Sequence, residues 1–109
     1  MILNNKESYK DITDDEAKIE LEIDSSIILL DVRTQEEHNE SHIPNSILIP
    51  VDELEARATS ELKDKYAKII VYCRSGGRSA NASNILVNLG YTNVYNLLGG
   101  INSWKYGMQ

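Results

Sequence analysis

"IIVYCRSGGRSANASNILVNLG", residues 69–90, is the stretch that decides the fold. It opens in a run of aliphatic, β-branched and aromatic residues, which predicts a buried strand over 67–73. Its second half carries apolar residues at i, i+3, i+4 and i+7, namely Ala82, Ile85, Leu86 and Leu89. This spacing predicts a helix over 78–89, ended by Gly90. The only cysteine of the chain, Cys73, therefore stands where a strand gives way to a helix.

The segments on either side alternate between strand-like and helix-like patterns. Further strands are predicted over 9–12, 26–32, 45–50 and 92–97. Further helices are predicted over 13–23, 34–41 and 51–65, with a closing turn and short helix over 99–106. This order predicts an α/β fold, with a mainly parallel central sheet of about five strands and helices on both faces. Residues 1–109 are expected to form one domain, in which ligands bind beyond the carboxyl ends of the strands.

Composition restricts the classes of partner. The chain has 109 residues, 41% hydrophobic and 26% charged, with a formal net charge of -6. An acidic chain is a poor match for nucleic acid or an anionic membrane, so neither is expected as a partner. The sequence has no apolar run long enough to span a bilayer and no features of a signal peptide. One cysteine can form neither an internal disulfide nor a zinc site. We therefore expect a reduced, cytoplasmic protein without a metal or other cofactor.

The loop after Cys73 carries the features of an anion site. Gly76 and Gly77 permit positive φ, so successive backbone N–H groups can point inward as a nest. The start of the next helix adds unpaired N–H donors, and Arg74 and Arg78 add two permanent charges. Each feature favours the thiolate form of Cys73, which is the nucleophilic form of a cysteine.

An inert reading of the same residues is available. A lone cysteine at a strand end is often a small buried apolar residue, the glycines could serve a tight turn, and Arg74 could be a solvated surface charge. Ser75 and Ser79 are typical of turn or capping residues. Arg78 favours the functional interpretation, because a cation at a helix start is unfavourable unless an anion compensates it.

The chain resembles the single-domain rhodaneses, a family of sulfurtransferases, over nearly its whole length. "IILLDVRTQEEHNESHIPNSILIPVDEL" resembles the family's strand, Asp-Val-Arg, acidic helix and His-Ile pattern. "IIVYCRSGGRSANASNILVNLGYTNVYNLLGGINSW" resembles its active-site and C-terminal half. One stretch departs: Ser41, Asn45 and Ser46 stand where the family usually has glycine, glycine and alanine.

The resemblance implies a mechanism in which Cys73 accepts the outer sulfur of thiosulfate or of another persulfide donor. The resulting persulfide would pass its sulfur to a thiol acceptor, such as a thioredoxin-like or other protein thiol. The substrate-binding residues would be Arg74, Ser75, Gly76, Gly77, Arg78 and Ser79. Asp31 and Arg33 match family positions outside the loop, and an internal acid–arginine pair there would orient the active corner.

Three other functions compete with this one. A cysteine phosphatase or arsenate reductase also holds a thiolate in an oxyanion loop, but the signature loop of those enzymes is one residue longer than the four residues between Cys73 and Arg78. A rhodanese-like domain can also be a non-catalytic interaction module, although such modules have often lost the cysteine. A third possibility is a relay dedicated to one partner protein that carries a persulfide.

Overall fold

Five parallel strands form the central sheet of the structure, a computed structural model that describes residues 8–109. The strands are β1 (Lys10–Ile12), β2 (Ile28–Asp31), β3 (Ile47–Leu48), β4 (Ile69–Tyr72) and β5 (Val94–Leu97). Their order across the sheet is β1-β5-β4-β2-β3, and all four pairings are parallel. The predicted fold class is confirmed, and the strand that leads to Cys73 is the central one.

Four α-helices and one 3-10 helix connect and cover the strands. They are α1 (Asp14–Ile23), α2 (Gln35–Glu40), α3 (Val51–Glu61), α4 (Gly77–Asn88) and the C-terminal 3-10 helix (Gly100–Ser103). Both α1 and α2 begin at a capping box, in which a threonine and the glutamate three residues later satisfy each other's backbone N–H groups. Helix α3 is shorter than the predicted 51–65, because Leu62 leaves helical geometry and is buried in the core.

The core lies on both faces of the sheet, and β4 contributes to each. Val71 and Cys73 face the side covered by α3 and α4, together with Leu54 and Leu86. The alternate residues of β4, Ile70 and Tyr72, face the other side. Ala17 of α1 and Ile101 and Trp104 of the C-terminal segment cover that second face. A strand buried on both faces explains the continuous apolar run in the sequence.

The turn before β3 contains the departure from the family pattern. Asn45 has a φ of 70°, in the left-handed region that asparagine tolerates better than most residues. Ser46 N–H donates to the carbonyl of Ile43 at 3.1 Å and closes the turn. Asn45, where the family usually has glycine, therefore takes a left-handed conformation that glycine adopts readily.

The register of the sheet brings two strand ends together. Asp31 at the end of β2 lies opposite Tyr72 at the end of β4, so the segments that follow them share one edge of the sheet. Among residues 8–109, every helix falls short of the length and apolar character needed to cross a membrane.

Candidate active site

Cys73 lies directly after β4, with its sulfur at the start of α4. The residue is buried, with 1% of its surface exposed. Gly76 N–H donates to Cys73 Sγ at 3.1 Å, and Ser79 Oγ lies 3.4 Å from the same sulfur. The sulfur is thus placed in the turn between the strand and the helix, where backbone donors converge on it.

The hydrogen bonds to the sulfur favour the thiolate. Burial alone raises the pKa of Cys73, but the Ser79 hydroxyl and the backbone N–H groups of Ser79, Gly76 and Ser75 lower it. The net effect is a Cys73 pKa below its ordinary value. A lowered pKa favours the thiolate, which is the nucleophilic form of a cysteine.

The two loop glycines have different roles. Gly76 is the N-cap of α4 and has a φ of 125°, a conformation that side chains with a Cβ rarely adopt. Gly77 is already the first residue of α4. The positive φ that the sequence allowed at both glycines is therefore needed at Gly76, whose N–H donates to the sulfur.

Both arginines of the loop bind one carboxylate on α2. Arg78 makes a bidentate ion pair with Glu37, with Nη1–Oε1 and Nη2–Oε2 distances of 2.7 and 3.0 Å. Arg74 Nη2 donates to the same Oε2 at 2.8 Å. The hydrogen bonds from Arg78 hold the pKa of Glu37 far below its usual range. Burial opposes this shift, and the hydrogen bonds from Thr34 and Arg74 add to it. The anion that compensates Arg78 at its helix start is thus part of the protein.

Asp31 and Arg33 form an internal acid–arginine pair. Arg33 donates to Asp31 through Nε at 3.0 Å and through Nη2 at 2.8 Å, and both residues are buried. The Tyr72 hydroxyl and His38 Nδ1 also lie within 3.0 and 2.8 Å of Asp31 Oδ2. Arg33 extends the network by donating to the carbonyl of Ser41 at 2.8 Å. The network ties β2, β4 and α2 together behind the loop.

The C-terminal 3-10 helix holds the base of the loop. Ile101 N–H donates to the carbonyl of Cys73 at 2.9 Å, and Asn102 N–H donates to that of Arg74 at 3.0 Å. Gly100 approaches so closely that an added Cβ would lie 2.5 Å from the Cys73 carbonyl oxygen. The backbone of Cys73 is therefore held by a segment remote in sequence.

Sequence reasoning missed two residues of the site. Glu37 was visible only as the partner of Thr34 in a capping box, which gave no reason to place it against the loop. Asn96 on β5 accepts a hydrogen bond from the Ser79 hydroxyl at 2.5 Å. Its one signal was a polar residue within an otherwise apolar strand, "NVYNL".

Comparison with known proteins places this geometry in a family. The profile of the rhodanese-like domain matches residues 13–106. The thiosulfate sulfurtransferase GlpE of Coxiella burnetii is 37% identical over 97 residues, which cover 89% of this chain and 88% of that protein. The thiosulfate sulfurtransferase PspE of Escherichia coli is 37% identical over 70 residues, which cover 64% of this chain and 67% of that protein.

Solved structures of rhodanese-like proteins have the same fold as this chain. A rhodanese-like domain protein from Staphylococcus aureus superimposes with a TM-score of 0.82 at 34% identity, covering 92% of this chain and 96% of its own. A rhodanese-related protein from Thermoplasma volcanium gives a TM-score of 0.78 at 33% identity, covering 93% of this chain and 98% of its own. The predicted resemblance is confirmed by sequence and by fold.

Proposed function

The chain belongs to the rhodanese-like domain family, and from that premise we propose that it is a sulfurtransferase that carries a sulfane sulfur on Cys73. The observation that carries the proposal is the hydrogen bond from Gly76 N–H to Cys73 Sγ, at 3.1 Å. A thiolate stabilised by donors of its own loop needs no separate base to become a nucleophile. The relatives named as thiosulfate sulfurtransferases support thiosulfate as a donor.

The proposed reaction has two half-reactions. The Cys73 thiolate first attacks the outer sulfur of thiosulfate; an S–S bond to Cys73 forms as the S–S bond of the donor breaks, and sulfite leaves with the electron pair. Cys73 becomes a persulfide anion, so charge is conserved without a proton transfer. An acceptor thiolate then attacks the outer sulfur, becomes the new persulfide, and restores the Cys73 thiolate.

The loop residues stabilise the anion in both states. The N–H of Gly76 already donates to Cys73 Sγ, and hydrogen bonds to an ionised acceptor are stronger than those to a neutral one. The same donor is available to the persulfide, whose negative charge remains in the loop. Arg74, Ser75, Gly77 and Arg78 complete the proposed binding loop around it.

The proposed acceptor is a thiol, either a small molecule or a protein thiol such as a thioredoxin-like cysteine. A reducing, cytoplasmic compartment suits this chemistry, because Cys73 must return to the free thiolate after each turnover. A phosphatase reaction is less well supported, because the four-residue spacing from Cys73 to Arg78 makes a cradle smaller than the signature loop of that class.

Intact-protein mass spectrometry tests the proposal. Incubation of the reduced protein with thiosulfate should add one sulfur atom and release an equal amount of sulfite, and cyanide or a dithiol should restore the original mass. Cys73→Ser should take up no sulfur. If Cys73 stays unmodified after thiosulfate and after every persulfide donor, the domain is an interaction module rather than an enzyme.

A further inference from the structure

Glu37 occupies the place where an anionic sulfur donor would be expected to bind. Its carboxylate contacts Arg78 at 2.7 and 3.0 Å and Arg74 at 2.8 Å. These are the two cations that the family resemblance implied would help to bind the sulfur donor. Of the two unit charges that the arginines bring to the loop, one is cancelled by Glu37 before any donor arrives.

The carboxylate is held from its other side as well. Thr34 N–H donates to Glu37 Oε1 at 3.0 Å, and the Thr34 hydroxyl lies 3.2 Å from the same oxygen. Only 13% of the Glu37 side chain is exposed, whereas Arg74 and Arg78 are 60% and 37% exposed. Glu37 is thus anchored in the capping box of α2, and a donor in solvent meets arginines that already have a fixed partner.

We propose that Glu37 is a specificity-determining residue that disfavours dianionic donors such as thiosulfate and favours persulfides of thiols. The inference rests on the proposed sulfur transfer to Cys73. Thiosulfate needs cations to receive its sulfonate oxygens and the departing sulfite, and it is repelled by a carboxylate between them. A thiol persulfide delivers its outer sulfur to Cys73 and releases a thiolate, so it makes no demand for an oxyanion site.

Two donors and one pair of variants test the proposal. The donors are thiosulfate and 2-hydroxyethyl persulfide, which has no charged group besides the persulfide itself. Glu37→Gln keeps the size of the side chain and removes its charge. Glu36→Gln removes the same charge from an exposed side chain one residue earlier on α2, and it serves as the matched control.

We expect Glu37→Gln to raise kcat/KM for thiosulfate by about tenfold, mainly through KM, because one nearby negative charge is removed from the path of a dianion. Transfer from 2-hydroxyethyl persulfide should change by less than about twofold, which also shows that the variant is folded. Glu36→Gln should leave both donors unchanged. Unchanged or weaker use of thiosulfate by Glu37→Gln would overturn the proposal, as would an equal gain for both donors.

Binding to unreactive protein separates this inference from the proposed function. In a Cys73→Ser background, Glu37→Gln should lower the Kd for thiosulfate by about tenfold in calorimetry. If this tightening occurs while Cys73 of the parent protein accepts sulfur from neither donor, the transferase function fails and the role of Glu37 in anion exclusion stands. If the Kd is unchanged, the inference fails whether or not Cys73 is loaded.

Discussion

Ser79 stands at the centre of a short chain of hydrogen bonds that begins at the sulfur of Cys73. Its hydroxyl lies 3.4 Å from Cys73 Sγ, 2.5 Å from Asn96 Oδ1 and 3.1 Å from the carbonyl of Gly76. A hydroxyl has one proton to donate. We expect that proton to turn toward the sulfur when Cys73 ionises, which would couple the protonation of the thiol to buried groups on β5 and in the loop.

Replacing Ser79 by Ala should raise the pKa of Cys73, because the hydroxyl is the leading contact that lowers it. The variant should also lose about 1–3 kcal/mol of unfolding free energy, since Asn96 is left without its buried donor. The pH dependence of iodoacetamide alkylation reports the pKa, and urea denaturation reports the stability.

Ser83→Ala is the matched control for Ser79→Ala. Ser83 is also buried on α4, but its hydroxyl donates to the carbonyl of Ser79 at 2.7 Å rather than to the sulfur. It should lower stability without moving the alkylation profile. Identical alkylation profiles for the two variants would assign the low pKa to the backbone donors alone.

The stability of the parent protein should also depend on the ionisation of Cys73, because folding lowers the pKa of this thiol. The contribution of the thiolate to stability should be complete above the unfolded pKa of about 8.5 and be lost as the pH falls through the folded pKa.

At the scale of elements, the turn after Cys73 depends on the close approach of the 3-10 helix. Gly100 has a φ of 59°, and a Cβ on it would lie 2.5 Å and 2.6 Å from the carbonyl oxygens of Cys73 and Arg74. Both obstacles are backbone atoms that accept hydrogen bonds from Ile101 and Asn102. They can move only if the loop itself moves.

Gly100→Ala should therefore lower the unfolding free energy by about 3 kcal/mol, from backbone strain and the collision together. Gly107→Ala makes a suitable comparison, because Gly107 also has a positive φ of 103° but has open space around the Cβ position. It should cost about 1–2 kcal/mol in the same urea titration. Equal losses of unfolding free energy in the two variants would mean that the 3-10 helix can move without strain and does not restrain Cys73.

The sequence was sufficient for the order of the elements and for the place of Cys73 between a strand and a helix, because both depend on local patterns. The apolar run before Cys73 predicted the central strand, and the spacing of Ala82, Ile85, Leu86 and Leu89 predicted the helix that follows it. The position of Glu37 against Arg74 and Arg78 depends instead on how α2 packs beside α4, across 37 and 41 residues of chain. Such a contact leaves no local signal in the sequence. Arg74 and Arg78 were therefore assigned to the sulfur donor, whereas in the structure both pair with Glu37.

At the scale of the whole molecule, Asp31 joins parts of the chain that are far apart in sequence. It receives hydrogen bonds from Arg33 and Tyr72 and contacts His38, and it is completely buried. Burial opposes its ionisation, but the contacts with Arg33 and His38 outweigh burial and lower the pKa of Asp31. The buried charge of Arg33 therefore depends on this one carboxylate.

Asp31→Asn should destabilise the protein by about 3–5 kcal/mol, because it leaves the Arg33 guanidinium buried without its counter-charge. In the parent protein this stabilisation should be complete above pH 4 or so, the ordinary range of an aspartate, and be lost as the pH falls through the lower folded pKa. Thermal unfolding across pH measures both effects. A variant as stable as the parent at neutral pH would show that Arg33 finds other partners.

The order of the strands also bears on when, during synthesis of the chain, the pKa of Cys73 can fall. Strand β5 lies between β1 and β4, although it is the last of the five to be synthesised. Asn96, which holds Ser79, and Ile101, which anchors the Cys73 carbonyl, leave the ribosome after the cysteine does. Until they arrive, the nascent chain carries Cys73 as an ordinary thiol that is mostly protonated at neutral pH. We therefore expect the pKa of Cys73 to fall only once residues that follow it in the chain, Asn96 and Ile101 among them, have joined the fold.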